Sequence, residues 1–240
     1  MKEFGEYRLC LKKRGKSGAY TAETSCVLRR LSMADKDEAL ALHRVIADGA
    51  HHDIFIPGTD DNFLSILGGE GAVLGIQDGK RIICMRTVLF RTSDEEILSE
   101  DMGLLPDQMK RMAFVDYCIV HHDYRGNNLQ FLTHCFMEAF LWDDFDYLYT
   151  TVSPKNIYSL RNVISCGFYA FQLKERYGGY MRYLLRKDLK DGVSIRTKRH
   201  ESALLRDYHS QQDIMSRGKV GYRLMRSMSG MWMAFGALVK

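Results

Sequence analysis

Residues 112–140 read MAFVDYCIVHHDYRGNNLQFLTHCFMEAF, and the change of pattern along them decides how the chain is built. The first nine, Met112 to Val120, are apolar on both alternating faces apart from Asp116, which predicts a strand in the middle of a sheet. Further on, Leu129, Leu132, Phe136 and Phe140 recur at helical spacing. Between the two lies VHHDYRGNNLQ, residues 120–130, a polar turn that passes directly into the helix. The first N–H groups of such a helix lack intrahelical partners and stand at the positive end of its macrodipole, so the turn is a place where anions bind. Arg125 adds a planar, permanently charged donor suited to phosphate oxygens. Gly126 lets backbone and ligand approach closely, and Asn127 and Asn128 tolerate left-handed or turn geometry. The turn lacks the Gly-Lys-Ser/Thr ending of a P-loop and is not the dinucleotide pattern G-x-G-x-x-G.

Working outward, SCVLRRLS (25–32) predicts a strand and MADKDEALALHRVIADG (33–49) a helix whose stripe is Ala39, Leu40, Leu42, His43 and Ile46. EYRLCLK adds an N-terminal strand, and TDDNFLSILGG (59–69) a capped short helix. In GAVLGIQDGKRIICMRTVLF (71–90) two β-branched-rich runs flank Asp78-Gly79, a hairpin signal. Residues 91–110 read as an acidic loop with a helical piece. YLYTTV (147–152) predicts a strand, SPKNIYSLRNVISCGF a capped helix ending at Gly167, and YAFQLKE and GYMRYLLRKDL two more strands. The last fifty residues give a helix around YHSQQDIMSRG and strands in GYRLMRS and MWMAFGALV. The order implies an α/β (α+β) chain with a sheet of mixed direction.

The chain has 240 residues, 46% apolar and 27% charged, with three prolines, which is ordinary globular usage. No apolar run approaches the roughly 18 residues that span a bilayer, and the N-terminus lacks a secretory apolar core. The six cysteines form no C-x-x-C pair and sit mostly among apolar neighbours, as free thiols in a reducing cytoplasm do. Net charge is +4, concentrated in residues 186–226, where eleven Lys/Arg face five Asp/Glu. Such a stretch meets solvent, phosphate or nucleic acid. The lack of clustered aromatics there argues against nucleic acid.

Two motifs together, VHHDYRGNNLQ and, about thirty residues on, VSPKNIYSLRNVISCGF, resemble the GNAT acyltransferase superfamily. That family has a fourth strand, an Arg-Gly-x-Gly-x-Gly/Ala phosphate loop, a helix, a fifth strand, an Asn-x-x-Ala/Ser helix and a Gly-Phe entry to the sixth strand. With the supporting element order the resemblance covers roughly residues 25 to 190. It implies a mixed, mostly antiparallel sheet flanked by helices, splayed between the family's fourth and fifth strands, with residues 1–24 and 191–240 as extensions. It also implies acetyl-CoA as cosubstrate. The pantetheine arm would pair with the backbone of Cys118, Ile119 and Val120, the diphosphate would sit on the amides of Arg125, Gly126, Asn127, Asn128, Leu129 and Gln130, and Asn156, Ser159 and Asn162 would face the arm's other side. The sequence departs from the family at Asn128 and Gln130, where small residues are usual, and at Val163, where a tyrosine often protonates the leaving thiolate.

The implied reaction is N-acetylation of a primary amine by direct attack, the thioester carbonyl being polarised by a backbone N–H near Val120. Asp116 shares a strand face with Cys118 and Val120 and is the candidate base; the alternative is a structural carboxylate paired with an arginine or a backbone donor. Tyr177 is the candidate acid, with Tyr180 beside it; each is alternatively a sheet-surface aromatic. His121 and His122 read as loop or phosphate-contact residues, because neighbours on an extended chain point opposite ways and would not share a metal. Neither a metal nor a Cys118 nucleophile is expected, since no thiolate-stabilising partner stands near Cys118 in sequence. The acceptor, a small-molecule or peptide amine, would meet loops 47–63, 91–110 and 175–182. The acidic TSDEEILSEDMG is either an attraction for a cationic acceptor or a solvated loop. Two rival readings are a catalytically silent CoA-binding module and a nucleic-acid contact through residues 186–226. The C-terminal strands offer an edge through which a homodimer could form.

Overall fold

The computed structural model describes residues 3–15, 18–47, 49, 51–90 and 104–239. They belong to two compact units. The first comprises Met1–Ala50, Pro57–Ser93 and Ala113–Asp144, the second His51–Ile56, Asp94–Met112 and Phe145–Lys240. Residues 92–103, the acidic stretch, lie outside the described residues.

In the first unit β1 (Tyr7–Arg14), β2 (Tyr20–Arg30), β3 (Gly71–Asp78), β4 (Arg81–Leu89) and β5 (Met112–Val120) lie side by side in chain order, each pair antiparallel. The helix expected from residue 33 opens instead as a 3-10 turn, Met33–Asp35, closed by a capping box between Ser32 and Asp35, and continues as α1 (Lys36–Ala47). Its stripe is buried through Ala39, Leu40, Leu42 and His43. Thr59 caps α2 (Asp60–Ser65), accepting from the Asn62 amide at 3.2 Å. The hairpin forms where Asp78-Gly79 predicts it: Asp78 pairs with Arg81, and Gly79 takes the left-handed φ of 59° that the tight loop requires.

One face of this sheet buries Leu11, Cys26, Leu28, Ile76, Ile83 and Cys84 against Tyr124 and Leu129, with Leu132 and Phe136 of α4 (Leu129–Leu141) packed on them. Asp78 ties this layer together. Its carboxylate accepts from Thr24 Oγ1 at 3.1 Å, from Lys13 Nζ at 3.5 Å and from the Tyr124 hydroxyl. These donors hold its pKa below the usual carboxylate range, the Tyr124 bond most of all.

Between β4 and β5 the ladder carries a bulge. Arg86 pairs with Cys118 and Val88 with Val115, so Thr87 alone faces Asp116 and Tyr117. The fully buried Thr87 hydroxyl fills the gap: it accepts from the Tyr117 amide at 3.2 Å and lies 3.4 Å from the Tyr117 carbonyl and 3.3 Å from Asp116 Oδ2.

In the second unit the strand order is β6 (Tyr147–Val152), β8 (Tyr180–Asp188), β7 (Tyr169–Arg176), β10 (Lys219–Ser227), β11 (Gly230–Val239), β9 (Ser194–Leu204). The described pairs are antiparallel. Helices α3 (Pro106–Met109), α5 (Ile157–Ser165) and α6 (Tyr208–Ser216) belong to it. Strand β9 has no counterpart in the sequence reading. SIRTKRHESAL carries no apolar alternation because this strand, among the described residues, pairs only with β11 and is exposed along most of its length. The basic segment is laced with ion pairs: Arg186 with Asp188 at 2.6 Å, Arg217 with Glu201 at 2.6 Å, and Lys219 with Glu201. Asp207 caps α6, and the wholly buried Gln211 accepts from the Tyr183 hydroxyl while donating to the Leu204 and Leu205 carbonyls at 3.0 and 3.1 Å.

Replacing Thr87 by valine keeps the volume but removes the hydroxyl that accepts from the buried Tyr117 amide. The expected loss is about 1–3 kcal/mol of stability, read as a lower urea midpoint with an unchanged m-value. An unaltered midpoint would show that the hydroxyl does not hold the bulge.

Candidate functional site

The turn that ends β5 is a 3-10 segment, His122–Tyr124, followed by Arg125 in extended geometry. Gly126 has φ 91° and Asn128 is left-handed at φ 57°, ψ 28°. Asn128 is the N-cap of α4 but makes no side-chain cap, so the helix opens with bare amides. Among the described residues the amides of Gly126, Asn127, Asn128 and Leu129 meet no acceptor. Arg125 is exposed, its Nε 3.4 Å from the Val120 carbonyl. Of the amides expected to receive an anion, those of Gly126 to Leu129 are therefore bare, whereas that of Arg125 donates to the His122 carbonyl at 3.3 Å.

The side chains behave differently. Asn127 is a brace: its Nδ2 donates to the Lys12 carbonyl at 2.7 Å and the Tyr124 carbonyl at 2.9 Å, and its Oδ1 accepts from the Lys12 amide at 2.8 Å. Arg14 Nε and the Tyr20 hydroxyl reach the Arg125 carbonyl at 3.2 and 3.5 Å. A Cβ on Gly126 would stand 2.3 Å from the Tyr20 hydroxyl, so the β1–β2 hairpin, rather than the close approach of a ligand, is what excludes a side chain there. Leu129 is buried in the core.

Beneath the first turn of α4 lies Arg86, 4% exposed. Its Nη2 donates to the Gln130 carbonyl at 2.5 Å and its Nε to Thr133 Oγ1 at 3.1 Å. Neither Arg86 nor Thr133 was legible as a site residue, although an arginine inside the apolar run RIICMRTVLF is the kind of break that marks a purpose. Cys118 sits against this pair, its Sγ 3.6 Å from Thr133 Oγ1 and 3.9 Å from Cys84 Sγ. The neighbouring Cys84 thiol, then Arg86 and the Thr133 hydroxyl, stabilise charge on Cys118, so it is the more acidic of the two and Cys84 the less. The expectation that Cys118 lacks such partners is corrected: they come from β4 and α4, distant in sequence.

Along β5 the amides of Tyr117 and His121 turn toward β4, so by alternation those of Cys118 and Val120 point away from it. Ile119 is buried on the opposite face and its backbone faces β4. Asp116 is half-buried, and among the described residues its one hydrogen bond is from Thr87. Burial pushes its pKa up to about 7, against the modest lowering by that hydroxyl. Among the described residues it bonds neither an arginine nor a backbone donor, the partners its structural alternative called for.

In the second unit Asn156 is the N-cap of α5, its Oδ1 accepting from the Ser159 amide at 3.1 Å. Asn162 Nδ2 turns back to the Tyr158 carbonyl at 2.9 Å, and Val163 is half-buried on the same helix. Tyr177, the proposed acid, occupies the β7–β8 turn at φ 53°, a left-handed conformation uncommon outside glycine, with its hydroxyl 2.9 Å from Thr151 Oγ1.

His121 and His122 are not on an extended chain. The 3-10 turn brings their ring centroids to 4.1 Å, and one ligand atom from each of His121, His122 and Asp123 lies within 4.8 Å of the others. The premise that the two rings diverge is thus corrected. The chemistry of the group still disfavours a cation, since Arg81 Nη2 stands 2.8 Å from Nε2 of the buried His121. Burial, then the nearby Arg81 charge, lowers the His121 pKa.

No family model and no curated protein matches the chain. Solved structures do. The GNAT domain of S. lividans PAT aligns at TM-score 0.52 and 13% identity over 76% of this chain and 97% of its own. The ribosomal-protein-S18-alanine N-acetyltransferase of Escherichia coli aligns at 0.51 and 14% over 68% and 94%. A GNAT superfamily phosphinothricin acetyltransferase from Sinorhizobium meliloti, solved in complex with acetyl-CoA, aligns at 0.51 and 10% over 70% and 90%. The chain has the GNAT fold.

The raised Asp116 pKa has a consequence for stability. An unfolded aspartate titrates near 3.9, so between about pH 4 and pH 7 the folded protein holds a proton that the unfolded chain has released, and stability falls as pH rises through that window. Asp116→Asn removes this slope. Urea titrations at pH 5 and pH 8 are expected to show the variant gaining on the wild type at the higher pH; an identical difference at both would refute the shift.

Proposed function

We propose that the protein is an N-acetyltransferase that moves the acetyl group of acetyl-CoA to a primary amine by direct attack, in the cytoplasm, with residues 25–190 as its catalytic domain. The observation that carries the reading is the opening of α4: amides without acceptors at Gly126–Leu129, a left-handed N-cap with no side-chain cap, and Arg125 beside them, in a chain with the GNAT fold. A diphosphate fits those donors in charge and in number. Among the described residues no helix is long and apolar enough to cross a membrane.

When bound, acetyl-CoA supplies the thioester carbonyl and the thiolate leaving group. The amides of Gly126 to Leu129 and the Arg125 guanidinium would receive its phosphates. The amides of Cys118 and Val120, facing away from β4, are free to pair with the pantetheine arm or to polarise the carbonyl. Asn156 has its oxygen committed to the α5 cap and offers its NH2, while Asn162 donates its NH2 to the Tyr158 carbonyl. Asp116, ionising near neutrality, takes a proton from the incoming ammonium. With Val163 in α5, the thiolate is protonated by Tyr177 or by water.

Val163 also favours a second reading, a CoA-binding module without turnover. Calorimetry with acetyl-CoA and a thioester-cleavage assay with an amine panel separate the two: binding with turnover supports the enzyme, binding alone the module. Arg125→Ala is expected to weaken binding roughly ten- to a hundredfold, the worth of a charge-assisted contact. No heat of binding from the wild type would sink both readings.

A further inference from the structure

Arg182 on β8 is 4% exposed and meets only neutral acceptors. Its Nη1 donates to the carbonyls of Asp53 at 3.2 Å and Met181 at 2.9 Å, and its Nη2 to the carbonyl of His52 at 2.7 Å. A guanidinium has five N–H bonds, so the one on Nε and one on Nη2 remain, with no acceptor among the described residues. Nε and Nη2 form one edge of the planar fork, the edge that grips a carboxylate or phosphate with two parallel bonds. No carboxylate is ion-paired with Arg182 among the described residues. The nearby Asp53 is engaged by Lys155, 2.5 Å away. That leaves the guanidinium without an anionic partner of its own, which is costly for a buried charge.

What covers the guanidinium is aromatic. The rings of Tyr177 and Tyr180 lie 6.0 and 5.5 Å from it, one on the β7–β8 turn and the other at the start of β8. Tyr177 is 49% exposed and is held at its strained φ next to Gly178 and Gly179, both also at positive φ. Strain of this kind persists where the surroundings enforce it and gathers at ligand sites. The cover is thus a solvent-facing ring on a turn with two glycines.

We propose that Arg182 recognises the acceptor: the amine that this protein acetylates carries an anionic group, carboxylate or phosphate, which the unused edge of the Arg182 fork grips beside Tyr177 and Tyr180. The inference rests on the acetyltransferase reading and narrows it to one substrate class. The carboxylate or phosphate neutralises the buried charge, and its attachment to the amine fixes where the nitrogen lies.

Matched amines test it. Wild-type protein is assayed with acetyl-CoA on L-phenylalanine against phenethylamine, L-histidine against histamine, L-lysine against cadaverine, and glucosamine 6-phosphate against glucosamine; the last pair distinguishes phosphate from carboxylate. Calorimetry in the presence of CoA reads binding of the same compounds. The expected result is a preference of roughly tenfold or more in kcat/KM for the anionic member of at least one pair, as a charge-assisted pair of bonds provides. Arg182→Gln collapses that preference through KM, and Arg182→Lys, which keeps the charge without the fork, retains part of it. Should both variants fail to fold, the wild-type panel alone decides. Equal or better use of the neutral members overturns the inference while leaving acetyl transfer intact. Preferential binding of anionic members without turnover supports Arg182 and removes the enzyme reading. Binding of no member overturns the inference.

Discussion

Arg86 carries its charge into the layer between the sheet and α4, where it holds the Gln130 carbonyl and the Thr133 hydroxyl and, among the described residues, meets no carboxylate. Burying a guanidinium there is unfavourable by itself, and its neutral partners recover only part of the cost. What they do gain is position. Gln130 lies in the first turn of the helix, so the bond fixes that turn to β4. The cation also adds to the positive end of the helix macrodipole at the same spot. The proposed anion site thereby has two sources of positive potential, one from the backbone and one from beneath it.

The same turn is held from its other side. Tyr124 bonds Asp78 at the tip of the β3–β4 hairpin, Asn127 pairs with both backbone groups of Lys12, and the Tyr20 hydroxyl and Arg14 take the Arg125 carbonyl. These bonds engage carbonyls and side chains of the turn while leaving the amides of Gly126 to Leu129 bare. A backbone held rigidly with bare amides is pre-organised for an anion, and pre-organisation lowers the entropic cost of binding. The N-terminal hairpin thus belongs to the site's support even though its sequence carries no motif.

What could be read from the sequence follows from what is local. The strand, turn and helix of residues 112–141 were legible because hydrophobic period changes from two to helical spacing within a few residues, and the left-handed Asn128 and Gly126 were legible because few other residues adopt that geometry. Cross-strand and cross-layer partners were not. Nothing near Cys118 in the chain announces Arg86 or Thr133, and the bulge that places Thr87 opposite Asp116 is a register fact invisible in either strand alone. Strand β9 escaped because an edge strand needs no apolar face. The divergence expected of His121 and His122 failed because it assumed extended backbone where the chain turns into a 3-10 segment. Arg182 escaped for a related reason: its partners are main-chain carbonyls of residues 52 and 53, which no side-chain pattern records.

The position of Cys118 bears on how acyl transfer would run. Its sulfur is made acidic by Cys84, Arg86 and Thr133, which taken alone would nominate it as a nucleophile. Yet those same groups crowd it, at 3.9 Å from one sulfur and 3.6 Å from the threonine oxygen, in the layer shared by β4, β5 and α4. An acetyl group on Sγ would have to displace one of them from a close-packed core and would cost the Thr133 hydroxyl its place against Arg86. Asp116, two residues earlier in β5, has the opposite character: it bonds a single hydroxyl and ionises near neutrality, so it can exchange a proton without disturbing a neighbour's packing. On the proposed acetyltransferase reading, proton transfer falls to Asp116 and the thiol stays a charge-sharing member of the core, an arrangement compatible with direct attack by an amine.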